Sequence, residues 1–542
     1  MPLVLCSAPT LPGAKTPSRA GRDVDGLYVA GVAGVKTARR SGCPAAPNTW
    51  FFVHTPFITV AGEPKFDHLL APSPSSFHWT WTVPLIPVPV APKPVVFTVP
   101  LTVRRAPMTF CECVPRMDRA PAPVTVVMAV AVARMHWGLG VAAGFVGSRS
   151  YSDIATHLVA DGHYSRDGVH PTAYRPPGYP LLLAGLMVVF GDAWLVAAVV
   201  AQALLAVGCG VLVFLLADRV FADRVAGVVG VGLLASDLLF IEEALARRET
   251  VLFTFVLLVF LLAVFQMRYG LAAGLVVAGA AGAGYLTRPT GVVLVAMWAV
   301  WLIVGCWPVR SWRSLGWAAV SIGLLAAMVG AWQGRVVRAL GTWRFAPAST
   351  AGVNLYQGNN PDTLDYYPAV DVDRYNGWIE RRLAAAGIAR HDEVARDRHL
   401  RQAAWAYIGR HPGRFVRAAG TKIAALLSPV PTPYGRGRLD RRDGRIVVVD
   451  YRTPARHRAL AVIVPHGIVL LAGAAACGWA AWRGWLSCPR GAAVLGALVV
   501  MVLALHAVTF GETRFRLPLD PILIVLTSVG VCACVRRRAV GR

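Results

Sequence analysis

Long apolar runs, which recur from residue 124 to the end of the chain, constrain the fold more than any other feature. A helix needs about 20 apolar residues to cross the roughly 30 Å hydrocarbon core of a bilayer, and its backbone must satisfy its own hydrogen bonds there. We therefore expect an all-α polytopic membrane protein with about ten transmembrane helices. The runs predict spans near 124–147, 193–217, 225–241, 250–267, 270–286, 290–307, 316–332, 458–482, 491–511 and 517–535.

Composition agrees with lipid as part of the solvent. Hydrophobic residues make up 56% of the 542 residues and charged residues 15%, against about 25% charged in a soluble domain. This balance excludes a disulfide scaffold, a collagen-like fibre and whole-chain disorder. The formal net charge of +25 does not indicate a nucleic-acid partner, because the positive-inside bias of a membrane protein accounts for much of the excess.

Arginines on alternate short loops predict the orientation of the spans. The positive-inside rule makes these loops cytoplasmic, together with the C-terminus. Two large segments, 148–192 and 333–457, are then extracytoplasmic, and the protein is expected in the cytoplasmic (inner) membrane. The arginines that carry this argument are Arg219, Arg224, Arg268, Arg310, Arg313, Arg483, Arg490 and Arg536–Arg538.

The chain divides into four segments by composition. Residues 1–120 are predicted to be a disordered extension, or to precede a start codon near Met108, Met117 or Met128, because the first 123 residues hold 20 of the 38 prolines. An N-terminal transmembrane module follows at 121–332, with 148–192 as its first outer loop. The extracytoplasmic segment 333–457 contains a helical pair at 374–409, and 458–542 forms a C-terminal transmembrane module with a basic cytoplasmic tail.

Acids and arginines gather at the predicted outer face. Asp153 and Asp161 follow the first span, and Glu249 opens the fourth. Each has an ordinary explanation, as a solvated loop acid or as a carboxylate favoured by a helix N-terminus. Four arginines lie at the same depth, and the guanidinium group presents a planar fork that matches phosphate oxygens. A single arginine of this kind is commonly a helix-end anchor to lipid phosphates; the arginines are Arg175, Arg288, Arg514 and Arg516.

Several motifs in order resemble the bacterial family-39, GT-C type glycosyltransferases, relatives of dolichyl-phosphate-mannose protein mannosyltransferases and of the lipid A aminoarabinose transferase. The resemblance covers about 124–538 and implies a GT-C-like bundle. The motifs are Tyr151-Ser-Asp-Ile-Ala155, Arg175-Pro-Pro-Gly-Tyr-Pro180, Leu286-Thr-Arg-Pro-Thr-Gly291, Gly352-Val-Asn-Leu-Tyr-Gln-Gly-Asn-Asn-Pro361, His411-Pro412 and Glu512-Thr-Arg-Phe-Arg-Leu-Pro518.

The resemblance implies roles for individual residues. A first-loop carboxylate would act as base on the acceptor hydroxyl, Glu249 matches an acid at the start of the fourth span, and Arg288 matches a basic residue that holds the donor phosphate. Tyr179, in its proline-rich motif, is predicted with the arginines to bind substrate. The family's loop aspartate usually precedes the tyrosine by three residues, and Ser148 stands there. The base is then Asp153, or Asp161 or Asp167, or the chain has lost activity.

The predicted reaction moves a sugar from a polyprenyl-phosphate donor to an acceptor hydroxyl, with inversion. No cofactor is required, because arginines supply the charge that a metal would otherwise supply; a bound divalent ion remains compatible, and no metal site is predicted. The expected partners are the lipid donor, the bilayer and a glycan, lipid or protein acceptor. The alternatives are a transporter or flippase of a lipid-linked substrate and a catalytically inactive membrane relative.

Overall fold

The computed structural model describes residues 77–82, 96–101, 148–266, 270–306, 312–343, 346–453 and 457–540. The predicted span at 124–147 and most of the 1–120 segment lie outside these ranges. In the first unit of the chain, Met1–Cys113, strands β1 (Phe77–Thr82) and β2 (Val96–Leu101) pair antiparallel. The helices that the structure describes belong to the second unit, Val114–Arg542.

The helices follow one another with few strands between them. The first half contains α1 (Arg149–Asp161), α2 (Gly178–Phe190), α3 (Trp194–Phe221), α4 (Arg224–Ser236), α5 (Leu238–Ala244), α6 (Thr250–Gln266), α7 (Leu271–Thr287), α8 (Val292–Cys306) and α9 (Trp312–Leu340). The second half contains α10 (Ala351–Gly358), α11 (Thr363–Tyr366), α12 (Asn376–Ala385), α13 (Glu393–Arg410), α14 (Pro412–Leu427), strands β3 (Arg436–Arg442) and β4 (Arg445–Arg452), then α15 (His457–Trp482), α16 (Pro489–Val508), α17 (Thr513–Arg516) and α18 (Asp520–Val540).

The chain is a multi-pass helical membrane protein. Within the described ranges, five helices are long and apolar enough to cross a membrane, or six if the bent pair α4–α5 counts as one span, and three shorter apolar helices stand beside them (Thr250–Gln266, Leu271–Thr287 and Pro289–Val304). Each of the nine predicted spans that the structure describes falls on one of these helices. The predicted total of ten crossings stays a prediction.

The bundle core is formed where helices approach closely. Helices α15 and α18 pack along their lengths, and α18 also packs on α3 and α4. A Cβ on Gly473 would lie 2.2 Å from Thr527 Cγ2, and one on Gly530 would lie 2.6 Å from Cys477 Cα. Small residues let helices pack closely where lipid supplies no hydrophobic driving force. These two glycines therefore set the spacing of α15 and α18.

One predicted span is broken. The sequence predicts a single helix at 225–241, but α4 and α5 meet at 67°. The cause is Asp237, which is extended (ψ 94°) and whose carboxylate accepts the backbone N–H groups of Leu239 and Phe240, each at 3.1 Å. An aspartate that caps a new helix ends the previous one.

The segment between α9 and α15 has a core of its own. Tyr366, Val372, Leu383 and Leu400 are buried at its centre, and the predicted helical pair at 374–409 is confirmed as α12 and α13. The segment also contains the β3–β4 hairpin, a short addition to the mostly helical fold that the sequence predicts. Its turn, Asp443-Gly444, has φ values of 50° and 76°, as a two-residue type I′ turn requires.

One end of the bundle carries the long connections. We call it the loop face, and its contacts join the first loop, the ends of several helices and the segment after α9. The described residues that define it are 148–177, 245–249, 288–291, 346–453 and 509–516.

Candidate active site

A buried carboxylate lies at the centre of the loop face. Glu249 precedes α6 and receives a hydrogen bond of 2.6 Å to its Oε2 from the Tyr151 hydroxyl, while Arg288 Nε lies 3.7 Å from Oε1. Burial alone would raise the pKa of Glu249, but Arg288, Arg175 and the Tyr151 hydroxyl outweigh it and hold that pKa below its usual range. Glu249 is therefore ionised and fixed between a donor and two cations.

Arg175 lies beside this carboxylate. Its Nε donates to Ser150 Oγ (3.0 Å) and its Nη2 to Ser148 Oγ (3.2 Å), and its guanidinium stacks 4.7 Å from the Tyr151 ring centroid. Burial opposes its charge, yet Tyr151, Tyr174, Glu249 and Asp373 raise the pKa of Arg175 above its ordinary value. The position where the family carries an acid, Ser148, is thus a neutral partner of an arginine.

Arg288 is the most enclosed cation of the site. It ends α7 in an extended conformation, and its side chain is 6% exposed. The guanidinium lies 5.9 Å from the Phe253 ring centroid and 5.5 Å from that of Phe515, and Nη1 is buried without a hydrogen-bond partner. A buried donor without a partner is costly. An anion at Nη1 would satisfy it.

The turn after Arg288 depends on a glycine. A Cβ on Gly291 would lie 2.1 Å from the Gly284 carbonyl oxygen. The residues Pro289–Gly291 therefore return directly onto α7 and fix where Arg288 emerges.

Arg514 completes the set of cations. Its guanidinium stacks on the same Phe515 ring as Arg288, at 4.9 Å. Its Nε lies 2.9 Å from Glu512 Oε2, and its Nη2 lies 3.6 Å from Asp373 Oδ2 and 3.9 Å from Asp371 Oδ1. Arg175, Arg288 and Arg514 are hereafter the arginine cluster.

Glu512 is a buried acid that sequence reasoning did not select. It has no exposed surface. Burial raises its pKa to about 8; Arg514 opposes this shift, and Asp371 and Asp373 add to it. Asp371 and Asp373 also escaped prediction, because no quoted motif contains them and they have no local pattern. Glu512 stands inside a quoted motif, which was the available signal.

Two residues that were predicted to bind substrate, Arg516 and Tyr179, are buried and hydrogen-bonded within the protein. Arg516 is 3% exposed, and its guanidinium donates to Asp520 (2.8 Å) and to the Ser428 carbonyl (3.0 Å). Tyr179 is fully buried; its hydroxyl donates to Gln202 (2.7 Å), and its ring meets Tyr151 edge to face. Both side chains are held by other groups of the protein, and the structure does not place either of them in the arginine cluster.

The three first-loop acids lie apart from Glu249. Asp153 is two positions from Tyr151 on α1, so it leaves the helix on another face, and its charged neighbours are Arg166, Arg149, His157 and Arg247; burial raises its pKa. Asp161 is 53% exposed at the end of α1, 3.7 Å from His157. Asp167 accepts the N–H groups of Val169 and His170, which lower its pKa. Their catalytic role stays a prediction.

The first loop is anchored by Glu393 at the start of α13. Its carboxylate accepts hydrogen bonds from the Thr172 hydroxyl, from Ala173 N (3.0 Å) and from Ser349 Oγ (2.6 Å). Arg335 of α9 donates to the carbonyls of Thr172 and Tyr164. Together they hold residues 163–175, and hence Arg175, against the segment after α9.

Glu393→Ala should release this loop. A hydrogen bond to a charged group contributes about 1.5–3 kcal/mol to stability. We therefore expect the free energy of unfolding to fall by an amount of that order and amide hydrogen exchange over residues 163–174 to become faster. The control is Glu380→Ala, whose carboxylate pairs with Arg396 and Arg390 instead. Equal exchange in the two variants would contradict the anchoring role.

A narrow apolar crevice of about 10 Å³ lies beside the arginine cluster. It runs between α6, α8, α16 and the turn before α18, and its lining includes Phe253, Leu257, Val293, Leu498, Val502 and Phe515. Phe253 and Phe515 also flank Arg288, so the crevice lies next to that guanidinium. A larger cavity of about 460 Å³, lined by Trp343, Asp397, Arg398 and Arg401, shares no residue with the arginine cluster.

The described residues hold no group of three or more His, Cys, Asp or Glu side chains arranged to bind a metal ion. The acids near Arg514 face its guanidinium instead.

Comparison with known proteins agrees with the resemblance seen in the motifs. The family described as dolichyl-phosphate-mannose-protein mannosyltransferase matches residues 174–332, a stretch that contains Arg175, Glu249 and Arg288. The resemblance of this chain to GT-C type glycosyltransferases is thereby confirmed over that stretch. No curated protein matches the sequence.

Two solved structures are similar at low identity. The archaeal oligosaccharyltransferase AglB from Archaeoglobus fulgidus, in complex with an inhibitory peptide and a dolichol-phosphate, has a TM-score of 0.41 and 13% identity over 77% of this chain and 50% of its own. ArnT from Cupriavidus metallidurans, bound to undecaprenyl phosphate, has a TM-score of 0.30 and 15% identity over 76% of each chain. The present chain thus spans about half the length of AglB.

Proposed function

We propose that this protein transfers a sugar from a polyprenyl-phosphate donor to an acceptor hydroxyl at the outer face of the cytoplasmic membrane. The observation that carries the proposal is Arg288: a buried guanidinium with an unpartnered Nη1 lies against two aromatic rings that also line a narrow apolar crevice. A phosphate ester with a prenyl chain has the matching chemistry, an anion joined to a long apolar tail. The family match over 174–332 supports the same reaction class.

The arginine cluster would stabilise the leaving group. As the bond from the anomeric carbon to the phosphate oxygen lengthens, negative charge grows on the phosphate. Fixed guanidinium groups in a partly dehydrated site stabilise that charge without reorganising. Glu249 keeps Arg288 and Arg175 oriented between turnovers. Attack by the acceptor hydroxyl from the side opposite the phosphate inverts the anomeric carbon, as in inverting glycosidases.

The orientation of the loop face follows from charge. The short loops at the other end of the bundle carry Arg219, Arg224, Arg483 and Arg490, so the positive-inside rule makes the loop face extracytoplasmic. A lipid-borne donor delivered to that face can react with a glycan, lipid or protein acceptor. Mannose and arabinose donors both fit the resemblance.

A second candidate function, transport or flipping of a lipid-linked substrate, has one observation in its favour. Asp237 and Asp520 are buried, and the partly buried His466 lies beside them, with 3.7 Å between Asp237 Oδ2 and His466 Nε2. Ionisable groups within a membrane bundle often mark transport pathways. The broken α4–α5 span beside them is a feature that transporters share.

Purified protein in liposomes, supplied with radiolabelled polyprenyl-phosphate mannose or arabinose and envelope membranes as acceptor, tests the proposal. A transferase consumes the donor and releases polyprenyl phosphate. A flippase moves the donor between leaflets without consuming it, and an inactive relative does neither. Failure to consume any donor in the panel would refute the proposed function.

A further inference from the structure

The proposed transfer needs a base for the acceptor hydroxyl, and the position of the family's loop acid is Ser148. Among the described residues, Glu243 acts by charge on Arg514, but it is buried in an ion pair with Arg248. Four further carboxylates interact with the arginine cluster by contact or by charge: Glu249, Glu512, Asp371 and Asp373. An acceptor that arrives from water must be able to touch the base. Exposure and existing partners therefore discriminate among the four.

Two of them are enclosed. The Glu249 side chain is 14% exposed and is held by Tyr151 and Arg288, and the Glu512 side chain is fully buried against Arg514. Both can orient arginines, but neither offers a face to an incoming hydroxyl.

The remaining two differ in what they already hold. Asp371 Oδ1 accepts the backbone N–H of Asp373 (2.8 Å) and caps the short 3₁₀ helix Val372–Tyr375. Asp373 has no capping role; its Oδ1 accepts one long hydrogen bond, from Gln357 Nε2 (3.4 Å), and its side chain is 55% exposed. It lies 3.6 Å from Arg514, and its charge also acts on Arg175. It therefore stands between water and two members of the arginine cluster.

We propose that Asp373 is the general base of the transfer, an assignment that rests on the proposed function. The Asp373 carboxylate takes the proton of the acceptor O–H as the oxygen forms its bond to the anomeric carbon. The bond from that carbon to the phosphate oxygen breaks, and the electron pair leaves with the polyprenyl phosphate. Arg514, 3.6 Å away, holds the carboxylate beside the cluster that receives the phosphate.

The competing base, Asp153, is on another helix face with its own set of cations, Arg149, Arg166 and Arg247. It does not act on a member of the arginine cluster. The two acids can be told apart because they belong to different segments, the first loop and the segment after α9.

The test compares Asp373→Asn with Asp153→Asn and with Asp440→Asn in the transfer assay described above. Asp440 is also 55% exposed, and it lies in β3 away from the cluster. We expect Asp373→Asn to lower kcat by about 10²–10⁴-fold with the donor KM unchanged. Asp373→Glu should recover part of the rate, and Asp440→Asn should match the unsubstituted protein.

Binding of undecaprenyl phosphate, measured by native mass spectrometry, should be equal in Asp373→Asn and the unsubstituted protein. A rate for Asp373→Asn within tenfold of the unsubstituted rate would overturn the assignment, as would a loss confined to Asp153→Asn. If the unsubstituted protein consumes no donor, the proposed function fails, and this assignment fails with it. Loss of undecaprenyl phosphate binding in Asp373→Asn would also overturn it, because the residue would then be needed for the donor site.

Discussion

Replacing Arg288 with alanine should nearly abolish use of a polyprenyl-phosphate donor. Arg288 is the buried cation whose Nη1 has no partner and which lies next to the narrow apolar crevice. Removal of one fixed donor from a developing oxyanion typically lowers the rate by about 10²–10³-fold. The measurement is donor consumption in liposomes, together with binding of undecaprenyl phosphate, and both should fall.

A separate variant distinguishes lost chemistry from lost folding. Arg288→Ala leaves the buried Glu249 with one cation fewer, and breaking a buried pair can cost about 3–5 kcal/mol. The double variant with Glu249→Gln removes both charges, so it should fold and still fail to bind the lipid phosphate. Arg219→Ala, whose side chain is 63% exposed beside Asp218, is the control with unchanged activity. Donor use at the original rate by the double variant would refute the phosphate role.

Arg288→Lys should consume the donor at a rate between those of Arg288→Ala and the unsubstituted protein. Lysine keeps the charge but lacks the planar fork and would not span Phe253 and Phe515 in the same way.

The helices were predictable because their signal is local. A run of apolar residues long enough to cross a bilayer has few alternatives to a helix. The length and hydropathy of such runs therefore predict α3, α9, α15, α16 and α18. The break at Asp237 was not predictable, because a single aspartate inside an apolar run does not by itself indicate the end of a helix. The structure shows the cause, which is that its carboxylate accepts two backbone N–H groups. The β3–β4 hairpin had a local signal, Asp443-Gly444, which the membrane pattern outweighed.

The candidate site was predictable only in part. Arg175 and Arg288 were selected from two separate motifs and Glu249 from its place at the start of the fourth span, and the structure brings the two arginines together around the Glu249 carboxylate. The side of α1 that faces Glu249 depends on tertiary contacts, chiefly the anchoring of the first loop by Glu393 and Arg335. Those contacts join residues that are far apart in the sequence, so no local pattern predicts them. For the same reason Asp373, which reaches the cluster from a separate core, had no signal at all.

One of the contacts that attach this core to the bundle lies at the end of α10. Gly358 ends α10, and Asn359 follows it with its side-chain amide donating to the Val508 carbonyl (2.7 Å). Lys422 of α14, which is fully buried, donates to Asn359 Oδ1 (2.9 Å) and to the Ala507 carbonyl (3.2 Å) at the end of α16. Burial lowers the pKa of Lys422 to about 7. Glu512 and Asp373 are positioned on the two sides of this joint.

Gly358→Ala should therefore destabilise the packing of the segment after α9 against the bundle. A Cβ at this position would lie 1.7 Å from the Thr509 carbonyl oxygen, a backbone atom that cannot move aside as a side chain would. Overpacking usually costs about 1–3 kcal/mol, and we expect a loss at or above the top of that range, with faster proteolysis of residues 346–453 in detergent. Gly377→Ala is the matched control, since a Cβ there, in α12 of the same segment, meets nothing within 4 Å. It should leave stability unchanged or raise it by up to about 1 kcal/mol. If both variants unfold at the same temperature and are cut at the same rate, the contact at Thr509 does not hold the segment in place, and the geometry that brings Asp373 to the arginine cluster needs another source.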